Sequence, residues 1–132
     1  MKKISAAVLD VAAPFLDALP ENATEQARRD AIEMGVMLWN GLALLRRGDE
    51  RVWSGLVSYF RSLPEKKSST MAIIVAEAVR RKNARYADDT RVVGDWSLVI
   101  HRDGTATLRA EASDLLAPLA GGAARSKRRG GG

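Results

Sequence analysis

The segment Arg85-Tyr86-Ala87-Asp88-Asp89 carries the residue types most suited to chemistry in this chain. Neighbouring carboxylates can hold a divalent cation that activates water or a phosphoryl oxygen. A metal-dependent nucleic-acid enzyme built here would centre on Asp88, Asp89 and Asp95. The same aspartates also suit a polar turn in which they pair with Arg85 or Arg91, and this structural account is the stronger. The only histidine, His101, would need a carboxylate to hold it and a nucleophile to face before it could act as an acid or base. Strand alternation puts it instead on a polar face, one step from a turn and opposite Thr105. With one histidine and no cysteine, only an all-carboxylate metal site could be assembled, and no spacing supports one. Gly121-Gly122 and the terminal triple glycine lack the strand-loop-helix context of a phosphate cradle. No catalytic residue, metal ligand, cofactor or small-molecule ligand is assigned.

Tyr86-Ala87-Asp88-Asp89 matches the Tyr-x-Asp-Asp core of reverse transcriptases. There the string is the turn of a β-hairpin, and a further aspartate comes from another strand of a much larger palm. Here it follows a basic helix end, and 132 residues leave no room for a palm and fingers. Membership of that family does not follow.

Basic residues offer a second chemistry, contact with phosphates. Arg80, Arg81, Lys82 and Arg85 cluster at one helix end, with Lys66 and Lys67 earlier in the chain. Solvated charge that complements the helix dipole explains them more simply. The net charge is +5, yet four of the 21 basic residues, Arg125, Lys127, Arg128 and Arg129, lie in a Gly-rich tail. The remaining 17 face 16 acidic residues, so the body of the chain is nearly neutral. Electrostatic attraction to nucleic acid is therefore expected from the tail, over residues 121–132, as weak contact without aromatic stacking.

The elements that position these groups follow from apolar periodicity. Residues 4–19 read as a helix that Pro14 should kink or divide at Ala13. Asn22 or Thr24 caps a second helix running to about Leu45, with two adjacent apolar stripes that make its second half the most buried element. Gly35 and Gly41 inside it imply close approach of neighbouring helices, and Gly48 reads as its left-handed C-cap. Asp49 caps a third helix, reaching Ser62, with Val52, Trp53, Leu56, Val57 and Phe60 on one face. Pro64 and the polar run Glu65 to Ser69 read as a loop before a fourth helix that starts at Ser69 or Thr70. Beyond Asp89 the period becomes alternating. A three-residue loop, Arg102-Asp103-Gly104, with Gly104 left-handed, pairs Leu98 with Leu108 and Ile100 with Ala106. Trp96, Leu98, Ile100, Ala106, Leu108 and Ala110 then share one face. Ser113 is placed as the cap of a last short helix, Asp114 to Leu119.

The expected architecture is α+β and mostly α: about four helices in a bundle with a C-terminal antiparallel β-hairpin, about 91–112, packed on it. Residues 1–120 form one domain and 121–132 a disordered basic tail. Trp39, Trp53 and Trp96 are expected in the core, each with the capacity to form an aromatic patch if left exposed. The start Met1-Lys2-Lys3 resembles a secretion signal only superficially, because Asp10, Pro14 and Asp17 interrupt the apolar stretch. A cytoplasmic setting without membrane contact is expected. The leading functional expectation is a non-enzymatic binding or adaptor protein within a larger protein assembly.

Overall fold

A computed structural model describes residues 3–103 and 105–113. Four helices, α1 (Ile4–Asp17), α2 (Glu25–Arg46), α3 (Arg51–Ser62) and α4 (Glu65–Arg85), precede an antiparallel hairpin of β1 (Val92–Ile100) and β2 (Ala106–Ser113). The class is mostly α with a C-terminal hairpin packed on the helices, as the periodicity implies. α2 is central, touching α1, α3, α4 and β1, while α1 packs against α4 and β2. No helix among the described residues is long and apolar enough to cross a membrane.

Both glycines in α2 mark close approaches. A Cβ on Gly35 would collide with the Cβ of Ala12 and lie 2.8 Å from its Cα, so α1 and α2 touch backbone to backbone there. A Cβ on Gly41 would meet Trp53 and Leu56 of α3 at 3.4–3.5 Å. Thr24, rather than Asn22, caps α2 by accepting the Ala27 N–H at 3.0 Å. At its other end Gly48 adopts φ 91°, the Gly48 N–H reaches the Leu45 carbonyl, and the Asp49 N–H reaches that of Leu44. This is the reciprocal bonding of a Schellman cap.

Three local expectations are met only in part or not at all. α1 continues through Pro14 undivided. Proline has no N–H for the carbonyl four residues earlier, that of Asp10. The Arg81 guanidinium donates to that carbonyl at 3.2 Å and supplies the missing bond. The polar run Glu65 to Ser69 is helix, not loop: α4 starts directly after Pro64. Its long polar side chains keep their heads in water, and Glu and Lys are good helix formers. Finally, the formal N-cap of α3 is Glu50, although Asp49 Oδ1 accepts the Arg51 N–H at 3.1 Å.

The hairpin register is the expected one, with Leu98 opposite Leu108, Ile100 opposite Ala106 and Trp96 opposite Ala110. Leu98 and Leu108 are buried, while Val99, His101, Thr107 and Arg109 on the opposite face are exposed. A bulge between Val93 and Trp96 accommodates Gly94 and Asp95 and lets Val92 and Val93 both be buried. Gly104 and the helix expected over 114–119 lie outside the described residues; Ser113 ends β2. α2 also ties down the hairpin's base. Trp39 Nε1 donates to the Arg91 carbonyl at 2.7 Å, and Arg47 donates to that of Thr90 at 2.6 Å. Asn40 binds Val93 twice, accepting its N–H and donating to its carbonyl. These side chains occupy backbone groups that an edge strand would otherwise leave open.

Candidate interaction surface

The Tyr-Ala-Asp-Asp segment joins α4 to β1, and both aspartates have partners there. Asp89 is 4 % exposed and forms a two-pronged pair with Arg91, at 2.9 Å from Nε and 2.6 Å from Nη2. The Arg91 hydrogen bonds hold its carboxyl below the ordinary range against the opposing effect of burial. Asp88 is fully exposed and approaches Arg46, not Arg85, at 3.6 Å. Asp95 is exposed in the bulge. Among the described residues no three histidines or carboxylates converge in a way that could hold a metal ion. His101 is exposed, with its Nε2 2.7 Å from Thr107 Oγ1.

The basic end of α4 is partly turned into the fold. Lys82 is 3 % exposed and points inward. Its ammonium donates to the carbonyls of Tyr86 and Asp89, both at 2.8 Å, and lies 4.5 Å above the Trp39 ring. Burial lowers its pKa, with the Asp89 charge acting in the opposite direction. Its place among solvated phosphate ligands is therefore corrected: it closes the core. Arg80 and Arg81 both bind Glu77, whose carboxyl they hold at about 2. Arg81 and Arg85 bind Asp10 at 3.7 and 2.7 Å, and the Tyr86 hydroxyl donates to it at 2.6 Å. Burial would raise the Asp10 pKa, but the bonds from Tyr86 and Arg85 and the two positive charges lower it. The cluster thus joins α1 to α4, with Arg80 and Arg85 still about half exposed. Arg125, Lys127, Arg128 and Arg129 lie outside the described residues.

A partly open apolar surface lies between α3 and α4. α3 is strongly amphipathic, yet only Leu56 is buried. Trp53, Val57 and Phe60 of α3 face Ala72, Val75 and Ala76 of α4 across an open groove of about 310 Å³. The spacing explains the wall: 53, 57 and 60, and likewise 72, 75 and 76, fall on one side of their helices. The alanines keep α4 low and leave the aromatic side of α3 only half covered. Arg61 and Ser68 close one end, where the Ser68 hydroxyl already donates to the Phe60 carbonyl at 3.3 Å. Ile73 on the outer side of α4 is 74 % exposed. Sequence reasoning put Val57 and Phe60 on the apolar face of the third helix but gave no sign that α4 covers that face only in part, and so missed this groove. The available signal was the short side chains at Ala72 and Ala76, too small to cover the α3 aromatics. Of the tryptophans, only Trp39 is fully buried; Trp53 and Trp96 are half-buried.

Comparison with protein-family models, curated proteins and solved structures finds no match for this chain.

Proposed function

We propose that this protein is a non-enzymatic binding module that joins a protein assembly through the α3–α4 groove. The observation that carries the reading is the groove itself: an apolar stripe of α3 that the chain's described residues cover only in part, flanked by exposed Ala72, Ile73 and Ala76. Uncovered contiguous apolar surface marks interaction sites in soluble proteins. Its rigid helical walls suit helix-in-groove recognition. The titratable groups that sequence suggests for catalysis support the reading from the other side. Asp89 is engaged in an ion pair with Arg91, Asp88 approaches Arg46, and His101 lies exposed on the outer hairpin face against Thr107. The tail residues Arg125, Lys127, Arg128 and Arg129 add weak, sequence-independent attraction to nucleic acid.

Affinity capture from the native host tests this proposal, with the full chain and Ala72→Glu as baits and with nuclease treatment of each lysate. Ala72 is exposed on the groove wall, so the charge blocks the groove without entering the core. The expected result is a protein retained by the full chain after nuclease and lost with Ala72→Glu. Retention that survives the substitution, or that nuclease abolishes, contradicts the proposal.

A further inference from the structure

We infer that the α3–α4 groove takes an amphipathic peptide or helix from a partner protein, with acidic residues at one end of its apolar stripe. This inference rests on the binding-module reading and specifies the partner's chemistry.

The groove's interior dictates the apolar part. Its walls are Trp53, Val57, Phe60, Ala72, Val75 and Ala76, and its two polar members sit together at one end. Of these, Ser68 is already hydrogen-bonded to the Phe60 carbonyl. No polar group is left along the groove's length to orient a polar small molecule, whereas aliphatic and aromatic side chains presented at i, i+3 or i+4 and i+7 fit a trough between two helices.

The charges at the two ends differ. Around the α3–α4 turn, Arg61, Lys66 and Lys67 are exposed and form no ion pair or side-chain hydrogen bond among the described residues. Among the described residues of this turn the one opposing charge is Glu65, which also lacks an ion pair there, so this end is positive. At the Trp53 end Asp49 holds Arg51 at 2.8 Å and the exposed Glu50 adds a negative charge, so that end is not positive. An apolar peptide seated in the groove therefore gains most from carboxylates at the α3–α4 turn and little from charge at its other end. Rim charges of this kind act on encounter rate, orientation and salt dependence.

The test is a selection of displayed random peptides about 15 residues long on the immobilised full chain. The selected sequences are then titrated against three proteins: full chain, Ala72→Glu, and Arg61→Glu/Lys66→Glu/Lys67→Glu. All substituted positions are exposed, and thermal melts verify folding. The expected peptides carry helical-period apolar residues followed by Asp or Glu. Their affinity falls at least about tenfold with Ala72→Glu and several-fold with the triple reversal, with a weaker salt dependence in the latter. Groove-dependent peptides without acidic bias, or indifferent to the triple reversal, overturn this inference and leave the binding module standing. Absence of any peptide sensitive to Ala72→Glu overturns both. Two further outcomes also overturn the inference by naming another occupant. Binding that appears only after truncation beyond Ser113 assigns the groove to the chain's own C-terminal residues. Sedimentation showing self-association that Ala72→Glu abolishes assigns it to a second copy.

Discussion

Pro14 deprives the Asp10 carbonyl of its helical donor, and Arg81 supplies one from α4 while Arg85 and Tyr86 engage the Asp10 carboxylate. One residue of α1 thus anchors Arg81 and Arg85 of α4 and the Tyr86 that follows it, and replacing it should be felt. Asp10→Asn is expected to cost about 1–2 kcal/mol, below the value for a fully buried pair because the site remains partly open to water. The pH dependence has a definite sign. The folded-state pKa of Asp10 lies below its unfolded value, so its stabilisation is complete above about pH 5 and is lost as the pH falls below about 4. Melting temperatures of the native chain and Asp10→Asn should therefore differ at pH 7 and converge in acid; a constant gap would refute the ion-pair account. Lys82 makes a second prediction. Lys82→Met keeps the stem's packing but leaves the Asp89 carbonyl without its buried donor and the Tyr86 carbonyl with the Asp89 N–H alone, an expected loss of about 1–3 kcal/mol. A chemical-denaturation midpoint equal to that of the native chain would show the carbonyls to be otherwise satisfied. Sequence held the clue to Lys82, which stands four residues beyond Ala78 on the buried stripe of α4. Its charge concealed that role, because burial of an ammonium depends on carbonyls and a tryptophan ring supplied by distant or irregular segments.

Among the elements, the α1–α2 contact tolerates no side chain at Gly35. Alanine there adds helix propensity worth about 1 kcal/mol, yet its methyl would overlap Ala12. Overpacking should prevail, with a net loss of about 1–3 kcal/mol that Ala12→Gly in the same chain partly restores. Urea melts of both single variants and the double variant check this, and a stabilised Gly35→Ala would mean the helices are free to separate. The hairpin makes a complementary case. Leu98 is 6 % exposed and Val99 is 54 % exposed, so Leu98→Ala should cost about 2–5 kcal/mol and Val99→Ala far less. Equal, small shifts in thermal melts would contradict the packing of the hairpin on α1 and α2. The hairpin was legible because period-two alternation admits only one register that keeps Thr107 and Arg109 off the apolar face. The start of α4 was not, since a run of Glu, Lys and Ser has no apolar period and only Pro64 marks the boundary. Asn40 was equally hidden: its hydrogen bonds reach Val93, and nothing local foretells a helix side chain binding a strand backbone.

At the scale of the whole molecule, charge and apolar surface are separated. The acidic and basic groups between α1 and α4 satisfy one another, and uncovered apolar area collects on the opposite flank of α4, against α3. Composition made the near-neutral body and basic tail legible, but the groove depends on how far apart α3 and α4 sit, which periodicity does not specify. If the tail supplies the nucleic-acid attraction, truncation after Gly122 should nearly abolish binding to duplex DNA and reduce the salt slope by about 3–4, in line with four lost cations. Equal binding by the truncated chain, followed by fluorescence anisotropy across a salt series, would move that contact to the folded body. The proposed binding face is tested most directly by hydrogen exchange of the free protein and of its complex with the captured partner. The account predicts new protection of amides over 53–61 and 68–76, with the hairpin and α1 unchanged. Protection concentrated on β1 and β2, with α3 and α4 exchanging as in the free chain, would contradict it and make the hairpin the interaction surface.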